Sequence, residues 1–515
     1  MCVIISAVTV FTSSHLTVIA DSDIPKGGGS DLKVERILVD RRENVLGIDM
    51  TTPEFSWTES STSRGDFQSA YEFGVASTYS KAASGDYDVW YTGKVMSDSM
   101  HLRYGESATH TAKPLEARTR YYFSLKLYDQ NGDASPLSDV YFFETGLMDG
   151  FGASNKWITH DTGEEDLAAT YFRREFTLAK PRSEVDHARL YATSAGSHEM
   201  LLNGSRAGSD YMAPGKSVYS KILYYQTYDV TDKLLDGNNT VACRLGHGWY
   251  YGGMPGGTYS KRTGLKAKLI VTYKDGSEQT IDTDGSWYSS KNGSVTHNRY
   301  YDGETIDGRK KLDGFAENGY DTKKGDFKPV KATDTFAYDG GLITSNIIAE
   351  QMQPVRNTEI FHPVKAKKVG DKKYIYYIEQ NIAGTLRLTA TADAGTEITI
   401  DYSEHDGDGE IEIGAYLNHN GTDRYIFRGD PEGETVEFSF ALHGYQLFQI
   451  SGLDHQLDFN DIDCLVLTND LEYDSYFESS NSLLNRYAEN VKWSLRGNFL
   501  STLTDCPTRE KNSWA

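Results

Sequence analysis

One pattern governs most of this chain: short runs in which apolar and polar residues alternate, each closed by a Gly, Asn or Asp turn. A strand shows successive side chains to opposite faces, so such a run folds as a strand with one face buried. YEFGVAS (71–77), RYYFSLKLYD (120–129) and SDVYFFET (138–145) begin the series. Asn131-Gly132-Asp133 supplies a hairpin turn. Trp57 and Tyr122 are the natural core aromatics of a first β-sandwich over residues 31–148. DHARLYATSAG, HEMLLNGSRAG and KAKLIVTYKDGSEQTI carry the alternation through a second sandwich, residues 156–340. KYIYYIEQN and TVEFSFALHG carry it through a third, residues 346–470.

The period changes at about residue 478. Leu484, Tyr487, Val491 and Leu495 follow spacings of three and four, which predicts one amphipathic helix over 481–497. Ser479, Ser480 or Asn481 can cap it and Gly497 can end it. The fold class is therefore mainly β: three consecutive sandwiches, then the start of a helical domain over 474–515.

Charge narrows the function. With 52 basic against 74 acidic residues the net charge is −22, which excludes phosphate-backbone binding and argues against an anionic membrane surface. No run of 18 uninterrupted apolar residues is present, so no membrane-inserted helix is expected. Residues 1–30 read as a leader: apolar, without a basic start, and closed by a GGGS joint. A secreted or periplasmic destination fits that leader, and a cytoplasmic one fits as well. The four cysteines lie far apart with no CxxC, and no His-Glu-x-x-His is present. Neither a metal site nor a cofactor is expected.

Five local features invite a chemical reading. Asp505, Arg509, Glu510 and Trp514 crowd the loop after the helix. Paired carboxylates beside an aromatic ring are the equipment of glycoside hydrolysis, although a polar loop after a helix is often simply solvated. Trp249 and Tyr250, bracketed by glycines, are possible stacking partners for a sugar ring; the alternative is a tight turn with Trp249 packed inside. Asp406-Gly407-Asp408-Gly409-Glu410 reads as an acidic hairpin turn, because Ile411 stands where a calcium loop needs Gly. The sequons at Asn203, Asn238, Asn292 and Asn420 read as turns, and His443 as a strand-end residue rather than a ligand.

Taken together, the phrases resemble the bacterial α-L-rhamnosidases of glycoside hydrolase family 78. They run in order from Asn44-Val45-Leu46-Gly47-Ile48-Asp49, through Thr119-Arg120-Tyr121-Tyr122, Asp129-Gln130-Asn131-Gly132, Leu202-Asn203-Gly204, Tyr301-Asp302-Gly303-Glu304 and His443-Gly444-Tyr445, to Asp505-Cys506-Pro507-Thr508-Arg509-Glu510. The resemblance implies a fibronectin-III-like or immunoglobulin-like first sandwich, a carbohydrate-binding-like second sandwich, a concanavalin-like third one, and the first helix of an (α/α)6 six-hairpin catalytic barrel. It implies inverting hydrolysis of terminal α-L-rhamnosyl groups on a glycan or glycoside. Glu510 would be the general acid, Asp505 would bind rhamnose hydroxyls, Arg509 would brace the site and Trp514 would line the pocket. Such an acid needs a raised pKa. Lys216 departs from the family, where Trp is frequent. The sequence stops one residue after Trp514, whereas twelve helices of ordinary length need at least ~190 residues. The expectation is an amino-terminal fragment that lacks its general base and hydrolyses little. The competing readings are a non-catalytic glycan-binding protein and, more distantly, an adhesion protein.

Overall fold

The computed structural model of the chain describes residues 30–107, 110–160, 167–251, 262–338, 341–342, 346–407, 410–411, 421–473 and 475–513. The leader through residue 29, Trp514, Asn420 and the tip Asp408-Gly409 lie outside them.

The first sandwich packs a three-stranded sheet (Leu32–Val39, Glu54–Ser61, His101–Arg103) on a five-stranded one that includes Ala70–Ala76, Arg120–Tyr128 and Tyr141–Thr145. Phe55, at the centre, lies 4.6 Å from the Phe73 ring and 5.2 Å from Phe123. Trp57 is buried as expected, its indole N–H donating to Gln68 Oε1 at 2.8 Å. Tyr122 is a correction: it lies half-exposed on the outer face, against Tyr79 and Phe142, while Tyr121 and Phe123 enter the core. Both faces of that strand carry aromatics, so alternation alone leaves its phase open. The Asn131-Gly132 turn forms, with Asp129 Oδ1 accepting the amides of Asn131 and Asp133 at 2.8 and 3.0 Å.

The second sandwich pairs a six-stranded sheet with a seven-stranded one around Phe172, Leu190, Val241, Leu269 and Trp287. Asn203 (φ 51°) turns the chain between Ser197–Leu202 and Ser205–Arg206. Its amide donates to Lys233 O and Asn239 Oδ1, so this sequon serves as a turn. The third domain is a ten-stranded sheet threaded by the 18-residue strand Lys373–Ala390 and built around the largest apolar cluster. Two segments change sides relative to the expected boundaries. The hairpin Val295–Arg299/Gly303–Asp307, inside the range read as the second sandwich, joins the third sheet by pairing Thr305 with Arg424. Asn346–Ala349, read with the third, runs parallel to Ile222–Asp229 in the second. Strand pairing here is long-range, and a period of two names no partner.

The domains are joined by specific polar contacts. Arg189 and Glu144, from the second and first sandwiches, form a buried fork with N–O distances of 2.6 and 3.0 Å. Asp49 accepts the Tyr225 hydroxyl (2.6 Å) and the amides of Met148 and Ala349. Gly47 (φ 75°) permits that approach, because a Cβ there would stand 2.1 Å from Thr227 Oγ1. Within the third sheet Asp423 ties in the crossing hairpin, accepting from the Glu304 amide, the Tyr402 hydroxyl and His443 Nε2 at 2.8, 2.7 and 2.9 Å. His443 thus serves as a buried hydrogen-bonding residue at the start of its strand, with Tyr402 stacked on it at 3.9 Å.

The helix forms over Ser482–Gly497, with the Asn481 side chain accepting the Leu483 amide at 2.9 Å. It docks on the third domain through Trp493, 5.8 Å from the Phe361 ring, and through Arg496, which bonds Glu359 at 2.8 Å. Leu484, Tyr487, Val491 and Leu495 face solvent. Asp406–Gly407 pairs with Glu410–Ile411, as an acidic hairpin would.

Candidate active site

The segment after the helix is stitched to the sandwiches before it reaches the carboxylates. Phe499 O accepts the Asn469 amide at 2.8 Å and the Thr468 hydroxyl at 3.1 Å. Ser501 Oγ accepts the Lys216 amide at 2.7 Å. Leu500 is fully buried in a cluster shared with Tyr219, Trp249 and Tyr300 from the second sandwich's stretch and Leu442 from the third. Burying the side chains of a loop on this scale fixes its path at roughly 25 cal/mol per Å² of apolar surface removed from water.

Within the loop, Asp505 closes a small ring with Asn512: its amide donates to Asn512 O at 2.9 Å and its Oδ1 accepts the Asn512 amide at 3.0 Å. Pro507 and Thr508 lie on Gly444, where a Cβ would come within 2.7 Å of both. The turn brings Asp505, Cys506 and Glu510 together, with ligating atoms within 4.8 Å of one another. The Cys506 thiol lies 3.3 Å from Glu510 Oε2 and 3.5 Å from Asp505 Oδ2, and its sulfur accepts the Arg509 amide at 3.4 Å. Arg509 forms an ion pair with Glu510; the guanidinium is 54% exposed and the carboxylate 13%.

The general-acid role calls for a raised Glu510 pKa. The structure corrects that expectation: the Arg509 guanidinium holds the Glu510 carboxyl well below the usual carboxylate range, with the Cys506 and Asp505 hydrogen bonds adding to it. A charge-assisted bond to the ionised form outweighs partial burial. The spacing is informative too. Inverting hydrolysis needs carboxyls roughly 6.5–9.5 Å apart to admit a water, and Asp505 and Glu510 are closer than that. Asp505 is therefore badly placed as the base that partners Glu510 in an inverting reaction.

Asp505, Arg509 and Glu510 come together as the sequence suggested; Trp514 lies outside the described residues. Trp249 and Tyr250 are corrected. They are 5% and 0% exposed, so neither offers a ring face to a sugar. Trp249 packs on Tyr300 at 4.6 Å and donates its indole N–H to Lys511 O at 2.9 Å. The apolar packing around the joint won over exposure on a glycine-flanked loop. Lys511 went unnoticed in the sequence, where a lysine in a polar loop carries no mark of burial, yet it is 2% exposed.

Three β-domains in series, carrying a helix and a carboxylate loop, define a modular and mainly β class of protein. The sequence matches agree. Residues 34–149 match the Rha78A-like N-terminal immunoglobulin domain. Residues 183–359 match the alpha-L-rhamnosidase N-terminal domain, and 367–468 the bacterial alpha-L-rhamnosidase concanavalin-like domain. Residues 472–515 match the bacterial alpha-L-rhamnosidase six-hairpin glycosidase domain. The chain belongs to the bacterial α-L-rhamnosidases of glycoside hydrolase family 78. An alpha-L-rhamnosidase of Formosa agariphila is 29% identical over 94% of this chain and 53% of its own length. The structure of alpha-L-rhamnosidase from Dictyoglumus thermophilum superposes with a TM-score of 0.83 at 28% identity, over 94% of this chain and 54% of that one. That of Aspergillus terreus alpha-L-rhamnosidase gives 0.82 at 28%, over 93% and 54%. The chain spans about half the length of the relatives it matches.

Proposed function

We propose that a protein containing this chain hydrolyses terminal α-L-rhamnosyl groups of glycans or glycosides with inversion, Glu510 acting as general acid and Asp505 accepting rhamnose hydroxyls, and that the 515-residue chain by itself hydrolyses little. The observation that carries this reading is the Asp505–Glu510 turn, pinned against the second and third sandwiches within the stretch matching a six-hairpin glycosidase domain. Glu510 needs its proton for that role, so Arg509 has to leave it when a sugar arrives. The exposure of Arg509 gives it room to swing, and a sugar hydroxyl or ring oxygen supplies the guanidinium with another acceptor. Burial of the carboxyl beneath the sugar then raises its pKa.

The test is turnover of an aryl α-L-rhamnoside by the full-length protein. Glu510→Gln keeps the shape and removes the proton, and should lower kcat about 10²–10⁴-fold, the usual worth of a positioned acid. A Glu510→Gln variant as fast as the parent would sink the assignment. Calorimetric titration of the 515-residue chain with L-rhamnose addresses the second reading, glycan binding without hydrolysis, which the exposure of the Asp505 carboxylate supports. Heat that disappears in Asp505→Ala places the sugar at this loop.

A further inference from the structure

Lys511 sits where a lysine is expensive. Taking an ammonium out of water costs several kcal/mol unless it is paired or hydrogen-bonded. Here the side chain turns inward and Nζ donates to Leu442 O at 2.6 Å and to Tyr300 O at 3.3 Å. It stands 5.4 Å from the centroid of the Tyr300 ring. The carbonyl of the same residue accepts the Trp249 indole N–H, and its backbone is in the left-handed region at φ 47°. Asp423 and Asp302 provide compensating negative charge, although burial still wins and brings the amine down to about 8.

These contacts reach three separate parts of the chain. Trp249 comes from the second sandwich, Tyr300 from the turn of the hairpin that crosses to the third sheet, and Leu442 from the segment leading into His443–Ser451. All three converge on the residue immediately after Glu510. Pro507 and Thr508 lie on Gly444, two residues beyond Leu442, so the same edge of the third domain holds the loop at both ends. Between the two anchors the turn runs exposed through Arg509 and is braced by its own Asp505–Asn512 and Cys506–Glu510 contacts, while the anchors fix where that turn stands on the sandwiches.

We propose that Lys511 is a positioning residue: its buried ammonium, with Trp249, ties the Glu510 turn to the second and third sandwiches, so that these domains set the place of the acid. This rests on the reading of Glu510 given above for its catalytic consequence, but the anchoring itself does not. It assigns the two sandwiches a part in catalysis that requires no sugar contact of their own. It also accounts for the burial of Trp249, whose indole holds the loop instead of a ligand.

Cys506 is a built-in reporter of the loop, half-exposed and bonded to Glu510 and Asp505, whereas Cys243 and Cys464 are buried in sandwich cores. The experiment alkylates the 515-residue chain with iodoacetamide and follows each cysteine peptide by mass. Lys511→Met keeps the stem and loses the donors; Trp249→Phe keeps a ring and loses the indole N–H. The expectation is a Cys506 rate raised about tenfold in Lys511→Met and less in Trp249→Phe, as local opening becomes easier, with Cys243 and Cys464 unchanged. An unchanged Cys506 rate in both variants overturns the proposal. If Cys243 or Cys464 also accelerates in Lys511→Met, the fold has been lost and Trp249→Phe decides alone. In turnover by the full-length protein, both variants should lower kcat with KM held within about twofold, because the acid is displaced and the sugar contacts are kept. A raised KM at unchanged kcat overturns the catalytic part. If Glu510→Gln is fully active, the Glu510 reading fails while the thiol rates still decide the anchor.

Discussion

Arg189 shows how a single residue can hold two domains. It is 4% exposed, and its guanidinium makes a two-point contact with Glu144, whose other neighbour is Arg120 at 3.0 Å. Asp229 stands 3.0 Å from Arg189 Nη1 and completes the charge balance. Removing Arg189 leaves the buried Glu144 with Arg120 as its remaining cation, so the cost falls below about 3–5 kcal/mol, the figure for a fully uncompensated buried charge. Arg189→Met should therefore shift the urea midpoint of the first unfolding transition downward, and Glu144→Gln should shift it less, because an amide oxygen still accepts from the guanidinium. Equal midpoints for Arg189→Met and the parent would contradict the pair's role. None of this was legible from the sequence: Arg189 lies in an alternating run and reads as an outward-facing polar position. The carboxylate loop was legible at the same scale, because Asp505, Arg509 and Glu510 are close in sequence and a tight turn keeps them close in space. The direction of the Glu510 pKa was not, since it depends on which rotamer Arg509 adopts.

At the scale of elements, the helix Ser482–Gly497 was readable because its spacing of three and four stands out against a background of two. The apolar stripe that this periodicity draws is left open to solvent rather than docked. The stripe Leu484, Tyr487, Val491 and Leu495 is 41–67% exposed, while Trp493 and Arg496, off the stripe, make the contact with Phe361 and Glu359. The Arg496 guanidinium lies 4.0 Å from the Trp493 ring centroid, so a flat cation and ring form one amphipathic plate against the third domain. A face of several exposed large apolar side chains favours association. The 515-residue chain should self-associate with rising concentration in sedimentation velocity. Leu484→Lys with Val491→Lys should reduce that association without changing the far-UV circular dichroism. A parent that stays monomeric at high concentration would show that the stripe is not adhesive. The strands were equally legible one by one; what alternation could not supply was their sheet. The hairpin Val295–Arg299/Gly303–Asp307 therefore belongs to a different domain from the one its position in the chain suggests.

That crossing hairpin shapes the behaviour of the whole molecule, because it carries a carboxyl into the joint between the second and third domains. Glu304 is fully buried; its Oε2 accepts the Phe440 amide at 3.0 Å, and Oε1 has no hydrogen-bond partner among the described residues. Burial raises its pKa from 4.5 to about 8, with the Asp423 charge adding and Arg244 opposing. Below the ordinary glutamate value both folded and unfolded states hold the proton. Between that value and about 8 the folded state keeps it while the unfolded chain has released it. Folded protein thus binds more protons across this window, and stability contributed by the neutral acid falls as pH rises through it. Above about 8 the joint must bury a carboxylate or open. Glu304→Gln keeps the shape and the acceptor and removes the titration. Thermal unfolding midpoints of parent and Glu304→Gln, measured from pH 5 to 8.5, should differ least at the acid end, with the variant gaining on the parent as pH rises. Parallel curves across that range would mean that Glu304 is ionised in the folded protein, with its charge met by Arg244 from the second domain.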